Sequence, residues 1–225
     1  MPRLRISENN RFQLAVMLMI GLNIALITVR ILYTGDKTFA FLGWNLFLAF
    51  LPWAILVQAR KLLFYRHQIP AILVTILGIL FLPNAPYILT DLFHIRQNTG
   101  MPLWYDTLLL ASCSATGLFF FYKSLRKLEA ILLYFFPGFM RIGILALVAF
   151  MSGFGIYLGR YERFNSWDVF ANPDMLYNSI IDPIIHPGQN AETWAMTIVY
   201  GIALLVLYWV MILLRKDPVH RHYKH

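Results

Sequence analysis

The hydrophobic positions of the chain fall into long runs that are separated by short charged segments. Six runs cover residues 12–32, 39–57, 69–90, 103–122, 139–158 and 194–214. A helix rises about 1.5 Å per residue, so a run of about 20 residues crosses a hydrocarbon core of about 30 Å. None of the runs alternates apolar and polar residues as the strands of a membrane β-barrel do. The pattern predicts an all-α fold, a polytopic membrane helical bundle with about six transmembrane helices in a single domain, residues 1–225.

Composition and charge agree with a protein of the lipid bilayer. Hydrophobic residues make up 59% of the chain and charged residues only 13%, whereas a soluble domain carries roughly 25% charge. The formal net charge of +8 would suit a nucleic-acid binder. However, the basic residues lie at the ends of apolar runs, which points to the membrane surface and to no nucleic acid. The one cysteine, Cys113, lies inside a run and leaves no disulfide framework or thiolate metal site.

Lysine and arginine are distributed unequally between the two sides of the predicted bundle. One side carries Arg3, Arg5, Arg11, Arg60, Lys61, Arg66, Lys123, Arg126, Lys127, Arg215, Lys216, Arg221 and Lys224. The other side carries Lys37, Arg96, Arg160 and Arg163. The positive-inside rule then predicts that the amino and carboxyl termini are both cytoplasmic. Anionic lipid headgroups are the expected partners of the basic cytoplasmic loops and tail.

Two arginines and two lone asparagines are notable within or next to the apolar runs. Arg30 and Arg141 lie close to the ends of their runs, so both are expected to reach the membrane surface with their charged heads. Asn23 and Asn45 are lone amides in the first two runs, and they predict hydrogen bonds between helices.

Two of the prolines in the third run, Pro83 and Pro86, predict a broken helix. Pro83 and Pro86 each lack the backbone donor of a regular helix, and the residues before them, Leu82 and Ala85, are expected to leave helical dihedral angles. Asn84 is expected to cap the segment that follows. Broken helices line the substrate or ion sites of many transporters. The alternative is a structural kink that neighbouring helices fill.

The stretch after the fifth run predicts an amphipathic outer segment, residues 159–193. Asn172-Pro173-Asp174 is typical of a helix start, and His186-Pro187-Gly188 is typical of its end. The segment is expected to lie on the outer membrane surface or to cover the bundle. Gly153, Gly155 and Gly159, around the end of the fifth run, favour close packing of helices.

Polar residues with chemical potential gather on the predicted outer side. Asp91 and His94 share a helix face with Tyr87 and are candidate catalytic acid and base. The candidate substrate-binding residues are Asn84, Tyr87, Arg96, Asp106, Arg160, Arg163, Asn165, Trp167 and Asp168. The pattern assigns no metal ligands and no cofactor, although Asp91, Asp168 and His94 leave divalent-cation binding open.

Several of these blocks resemble a known family. The run Leu82-Pro83-Asn84-Ala85-Pro86-Tyr87, with Thr90-Asp91 and His94, resembles the signature of an uncharacterised bacterial family of multi-pass membrane proteins, classed as a domain of unknown function. Trp104-Tyr105-Asp106 and the stretch from Gly159-Arg160 to Asn165-Ser166-Trp167-Asp168 are similar to its other blocks. The resemblance implies a bacterial plasma (inner) membrane location and assigns no activity.

Three functions remain open at the level of the sequence. The first is an accessory or scaffold membrane protein with membrane-protein partners, in which the outer charges form salt bridges that hold the loops. The second is an outer-leaflet enzyme acting on a lipid-linked or anionic substrate. The third is a small-solute transporter lined by the broken third helix, although no internal repeat relates the two halves of the chain.

Overall fold

The computed structural model describes residues 8–94, 100–164 and 168–214, without the side chains of residues 8–11, 94, 169 and 170. Every regular element in those residues is helical. The α-helices are α1 (Glu8–Thr34), α2 (Phe41–Phe64), α3 (Gln68–Phe81), α4 (Asn84–Tyr87), α5 (Leu103–Phe135), α6 (Gly138–Arg160), α7 (Asp168–Ala171), α8 (Pro173–Ile185) and α9 (Ala191–Leu214). Two 3₁₀ helices, Thr38–Ala40 and Ile88–His94, join this series before α2 and after α4.

Six stretches in the described residues are long and apolar enough to cross a membrane. They are Phe12–Thr34, Thr38–Phe64, Gln68–Phe93, Leu103–Phe135, Gly138–Arg160 and Ala191–Leu214. The predicted six-span helical bundle is therefore confirmed. α5 contacts α1, α2, α6 and α9 and forms the centre of the bundle.

Two helices extend well beyond the predicted runs. α2 continues to Phe64 and α5 to Phe135, although their hydrophobic runs end near residues 57 and 122. The extensions contain lysine and arginine, which are good helix formers, so the helix persists where hydropathy falls. α5 ends where Phe136 turns to an extended conformation (φ −131°, ψ 143°) before Pro137, as expected for a residue that precedes proline.

The third span changes its hydrogen-bonding pattern at the two prolines. α3 ends at Phe81, and the chain continues as the short turn α4 and the 3₁₀ helix Ile88–His94. The predicted break is confirmed, but the expectation that Leu82 leaves helical dihedral angles is wrong, because its φ and ψ are −59° and −35°. Ala85 likewise lies within α4. Tightening to 3₁₀ bonds accommodates both prolines without an extended residue.

The tighter turns supply partners for the carbonyls that the prolines deprive of donors. The Ile79 carbonyl accepts from the Leu82 amide at 3.1 Å, and the Leu82 carbonyl accepts from the Ala85 amide at 3.1 Å. Asn84 donates from Nδ2 to the Phe81 carbonyl at 2.9 Å. Asn84 thus lies inside the turn and bonds backwards, so the expectation that it caps the following segment is wrong.

Glycines on α5 and α6 allow these helices to pack closely against the broken segment. A Cβ atom on Gly117 of α5 would lie 2.3 Å from the Ala85 carbonyl oxygen. Cβ atoms on Gly155 and Gly159 of α6 would lie 2.7 Å from Pro83 and 3.0 Å from Tyr87. The predicted close packing at Gly155 and Gly159 is confirmed, and α5 and α6 fill the space beside the break.

The amphipathic segment before the last span forms α8. It begins at Pro173 and ends at Ile185, so the predicted start and end are confirmed. Asn172 makes no side-chain cap, because its amide donates to Asp168 Oδ1 at 3.0 Å. Apolar side chains of α8 are exposed: Met175, Tyr177, Ile184 and Ile185.

Candidate functional site

Asp91 is buried at the junction of three elements. It lies on the 3₁₀ helix Ile88–His94 with 1% of its surface exposed. Asn45 of α2 donates from Nδ2 to Asp91 Oδ2 at 3.0 Å. Arg160, at the end of α6, brings Nη1 to 3.8 Å from Asp91 Oδ1 and lies 5.6 Å from the Phe93 ring centroid. The carboxylate therefore links the broken third span to α2 and α6.

Asp106 is bound to an arginine of the first span. Arg30 donates from Nε to Asp106 Oδ1 at 2.8 Å and from Nη2 to Oδ2 at 3.4 Å, and each side chain is 1% exposed. The Arg30 guanidinium also lies 3.7 Å from the centroid of the Phe39 ring. The expectation that Arg30 reaches the membrane surface is wrong, because a carboxylate on α5 meets it inside the bundle.

Both predicted interhelical amide contacts are confirmed. Asn23 of α1 donates to Thr116 Oγ1 of α5 at 2.8 Å, and Asn45 of α2 donates to Asp91. Cys113 donates weakly to Asn23 Oδ1 at 3.4 Å. These bonds tie α1 to α5 and α2 to the broken third span.

The other predicted site residues lie around the break and the end of α6. Tyr87 is half-buried and donates its hydroxyl to the Gly159 carbonyl at 3.4 Å. Asp168 is buried and accepts from Asn172. Arg163 is exposed and adopts a left-handed conformation with φ of 59°. The structure thus gathers Tyr87, Asp91 and Arg160, and binds Asp106 to Arg30.

Some predicted residues fall outside the described part of the chain. They are the side chain of His94, and Arg96, Asn165 and Trp167. The pairing of Asp91 with His94 as acid and base therefore stays a prediction. Among the described residues, no group of three or more histidine, cysteine, aspartate or glutamate side chains could hold a metal ion.

A group of hydrogen bonds connects the end of α8 to the beginning of α9. Asp182 contacts His186 Nδ1 at 3.0 Å and accepts from Asn190 Nδ2 at 2.8 Å. These two bonds lower the pKa of Asp182 below its usual value, and the bond from Asn190 has the larger effect. Trp194 donates from Nε1 to the Pro183 carbonyl at 2.9 Å. The amphipathic helix is thereby anchored to the start of the last span.

A second polar group, which the sequence did not single out, lies at the opposite end of the bundle. We call this end, where the α2–α3 and α5–α6 connections lie, the basic end. Tyr208 of α9 donates to Glu129 Oε2 at 2.9 Å, and Glu129 also pairs with Arg126 on α5. They line a cavity of about 1390 Å³. Arg141, which is expected to reach the membrane surface, also lines it. The spacing of Arg126 and Glu129 is a helical i, i+3 pair and was the available signal.

Comparison with known families shows which of these residues lie within a family match. Residues 44–207 match a family model described as a protein of unknown function (DUF1361). The chain belongs to this family. No curated protein and no solved structure matches the chain. The DUF1361 region includes Asp91, Asp106 and Arg160 but begins after Arg30, so one half of the buried ion pair lies outside it.

Proposed function

We propose that this DUF1361 protein is an accessory or scaffold membrane protein whose polar residues around the break are structural. One observation carries the proposal: both carboxylates, Asp91 and Asp106, are 1% exposed and bonded to side chains of other helices. A general acid or base must come within hydrogen-bond reach of its substrate. Carboxylates that are already bonded inside the bundle suit helix anchoring better than catalysis.

The packing of the broken helix supports the same function over transport. In transporters, irregular backbone lines a cavity. Here the freed carbonyls of Ile79 and Leu82 accept bonds within the segment, and Ser114 of α5 donates to the Ile88 carbonyl at 3.2 Å. Gly117 and Gly155 leave no room for a Cβ atom beside the segment. A break that is packed and satisfied in this way favours a rigid scaffold.

Asp91→Asn tests the proposal against the outer-leaflet enzyme. Asparagine keeps the size of the side chain but loses its charge. In a strain that lacks the gene, we expect rescue of the deletion phenotype to follow the amount of folded protein. Size-exclusion chromatography of a fluorescent fusion measures that amount. Asp174→Asn is the matched control, because Asp174 is an exposed acid of α8.

The two functions give opposite results for the same variant. A scaffold with Asp91→Asn keeps its activity whenever the folded amount is normal. A variant that is folded at the normal amount and yet inactive contradicts the scaffold proposal. It would assign Asp91 a chemical role at the outer membrane surface.

We also propose that the protein lies in the plasma membrane of a bacterial cell with both termini in the cytoplasm. The inequality of lysine and arginine between the two ends of the bundle supports this orientation. The resemblance of its proline-containing block to a bacterial family supports the location. Lipids of that membrane are then its immediate partners.

Cysteine labelling in intact cells tests the orientation. The native Cys113 is fully buried and gives no background. Cysteines introduced by Lys37→Cys and Gln189→Cys, at exposed positions near the outer end, are expected to react with a membrane-impermeant maleimide. A cysteine introduced by His67→Cys, at the exposed α2–α3 connection, is expected to react only after permeabilisation. The reverse pattern would invert the topology.

A further inference from the structure

The cavity at the basic end is large and lies between four helices. Residues from the ends of α2, α5 and α9 and the beginning of α6 surround its volume of about 1390 Å³. Sites for small molecules commonly have volumes of about 300–1,000 Å³. The cavity is therefore large enough for a polar headgroup together with part of an apolar chain.

The charges that line the cavity are mostly positive. Among the described residues, four arginines line it, Arg60, Arg66, Arg126 and Arg141, against a single acid, Glu129. Arg126 pairs with that acid. No described acid pairs with the other three arginines. Four positive charges and one negative charge leave an excess of three. Such an excess at a membrane surface attracts anions.

Two buried donors in the same cavity lack hydrogen-bond partners among the described residues. Tyr122 is 3% exposed, and its hydroxyl makes no hydrogen bond to the described residues. The Nε atom of Arg141 is also buried without a hydrogen-bond partner there. By contrast, Tyr208, whose ring centroid lies 6.1 Å from that of Tyr122, donates to Glu129. Buried polar groups are nearly always bonded, so the pair points to an acceptor supplied from outside the chain.

The remaining walls of the cavity are apolar. Leu63, Leu145, Leu205 and Ile212 lie on three of the four helices around it. An arginine-lined pocket with apolar walls matches the two chemical parts of an anionic lipid. Basic pockets between membrane helices bind phosphate-bearing headgroups in this way.

We propose that this cavity is a binding site for a phosphate group, which Arg141 and the Tyr122 hydroxyl contact directly. The arginine fork donates two hydrogen bonds to phosphate oxygens, and the phenol adds a third. The apolar walls favour an anionic lipid as the carrier of the phosphate. This site is independent of the scaffold function proposed for the residues around the break.

Binding to the purified full-length protein in detergent tests the proposal. Native mass spectrometry would compare phosphatidylglycerol with phosphatidylcholine as lipid probes. Inorganic phosphate and glycerol 3-phosphate would serve as soluble probes that carry the same group without acyl chains. We expect selective retention of phosphatidylglycerol.

Two variants and one control assign that binding to the cavity. Arg141→Gln is expected to weaken phosphatidylglycerol binding by about tenfold or more, because a charge-assisted hydrogen bond is lost. Tyr122→Phe is expected to weaken it by several-fold while leaving the melting temperature of the lipid-free protein unchanged or higher, since no described residue bonds its hydroxyl. Lys37→Gln removes one exposed positive charge at the other end and is expected to bind like the wild type.

Each outcome decides the proposal. If soluble phosphate competes with the lipid and both depend on Arg141, the phosphate site is supported with a soluble anion as its ligand. If only the lipid binds and the same variants weaken it, the lipid is the ligand. Equal lipid binding by wild type, Arg141→Gln and Tyr122→Phe overturns the proposal, and Tyr122→Phe keeps this result interpretable if Arg141→Gln fails to fold.

Discussion

Replacing Asp106 by leucine is expected to lower the free energy of unfolding by about 3–5 kcal/mol. The change leaves the Arg30 guanidinium 1% exposed and without the carboxylate that accepts from its Nε and Nη2 atoms. The Phe39 ring, 3.7 Å away, does not replace that carboxylate. Reversible unfolding of the purified protein in mixed micelles with increasing dodecyl sulfate measures the difference.

The double variant Arg30→Met with Asp106→Leu tests whether stability is lost because Arg30 is left unpaired or because the Asp106 carboxylate is removed. Replacing a buried ion pair by apolar residues of similar volume is often neutral or stabilising. We therefore expect the double variant to be more stable than Asp106→Leu alone. Asp174→Asn, at an exposed acid, is expected to change the free energy by less than about 1 kcal/mol. A small loss in the single variant that the double variant does not reverse would contradict a structural ion pair.

Hydropathy predicted the six spans because the bilayer sets their length. It could not predict where two spans meet. Arg30 and Asp106 are 76 residues apart in the chain. The expectation that Arg30 reaches the membrane surface uses only its position in its own helix. Both residues lie near the same predicted membrane boundary. That shared depth is the signal that could have suggested the pair.

The prolines show a different limit of the sequence. They predicted the break correctly, since each removes a backbone donor at a known position. The wrong expectation for Leu82 assumed that the only alternative to an α-helix is an extended residue. A 3₁₀ turn keeps Leu82 helical and still accommodates Pro83 and Pro86. The choice between the two depends on packing by α5 and α6, which local sequence does not contain.

The positive-inside rule, which predicts the orientation of the chain, does not predict the cavity at the basic end. Arg60, Arg66 and Arg126 each counted as cytoplasmic charge, so their shared location had no separate signal. The cavity lies beside the part of α5 that continues to Phe135, beyond the predicted end of its hydrophobic run, and α6 and α9 also line it. A charge count gives the side of the membrane but not the shape of the surface.

Gly117→Ala is expected to lower the free energy of unfolding by about 1–3 kcal/mol through overpacking. In an unhindered helix the same change raises stability by about 1 kcal/mol, so the sign of the effect is diagnostic. The new Cβ atom would lie 2.3 Å from the Ala85 carbonyl oxygen, which is a backbone atom and cannot rotate away. Accommodation requires the broken segment to move from α5, and this movement would strain the bond from Ser114 to the Ile88 carbonyl. Dodecyl sulfate unfolding again provides the measurement.

Gly43→Ala is the matched control for this variant. Gly43 lies within α2, and no atom of the described residues lies within 4 Å of the position that a Cβ atom would take. We expect unchanged or higher stability at Gly43 and lower stability at Gly117, although the chemical change is identical. An increase at both positions would mean that the broken segment yields to α5 at little cost. The proposal of a rigid scaffold would then have to be abandoned. A movable third span, which a transporter needs, would take its place.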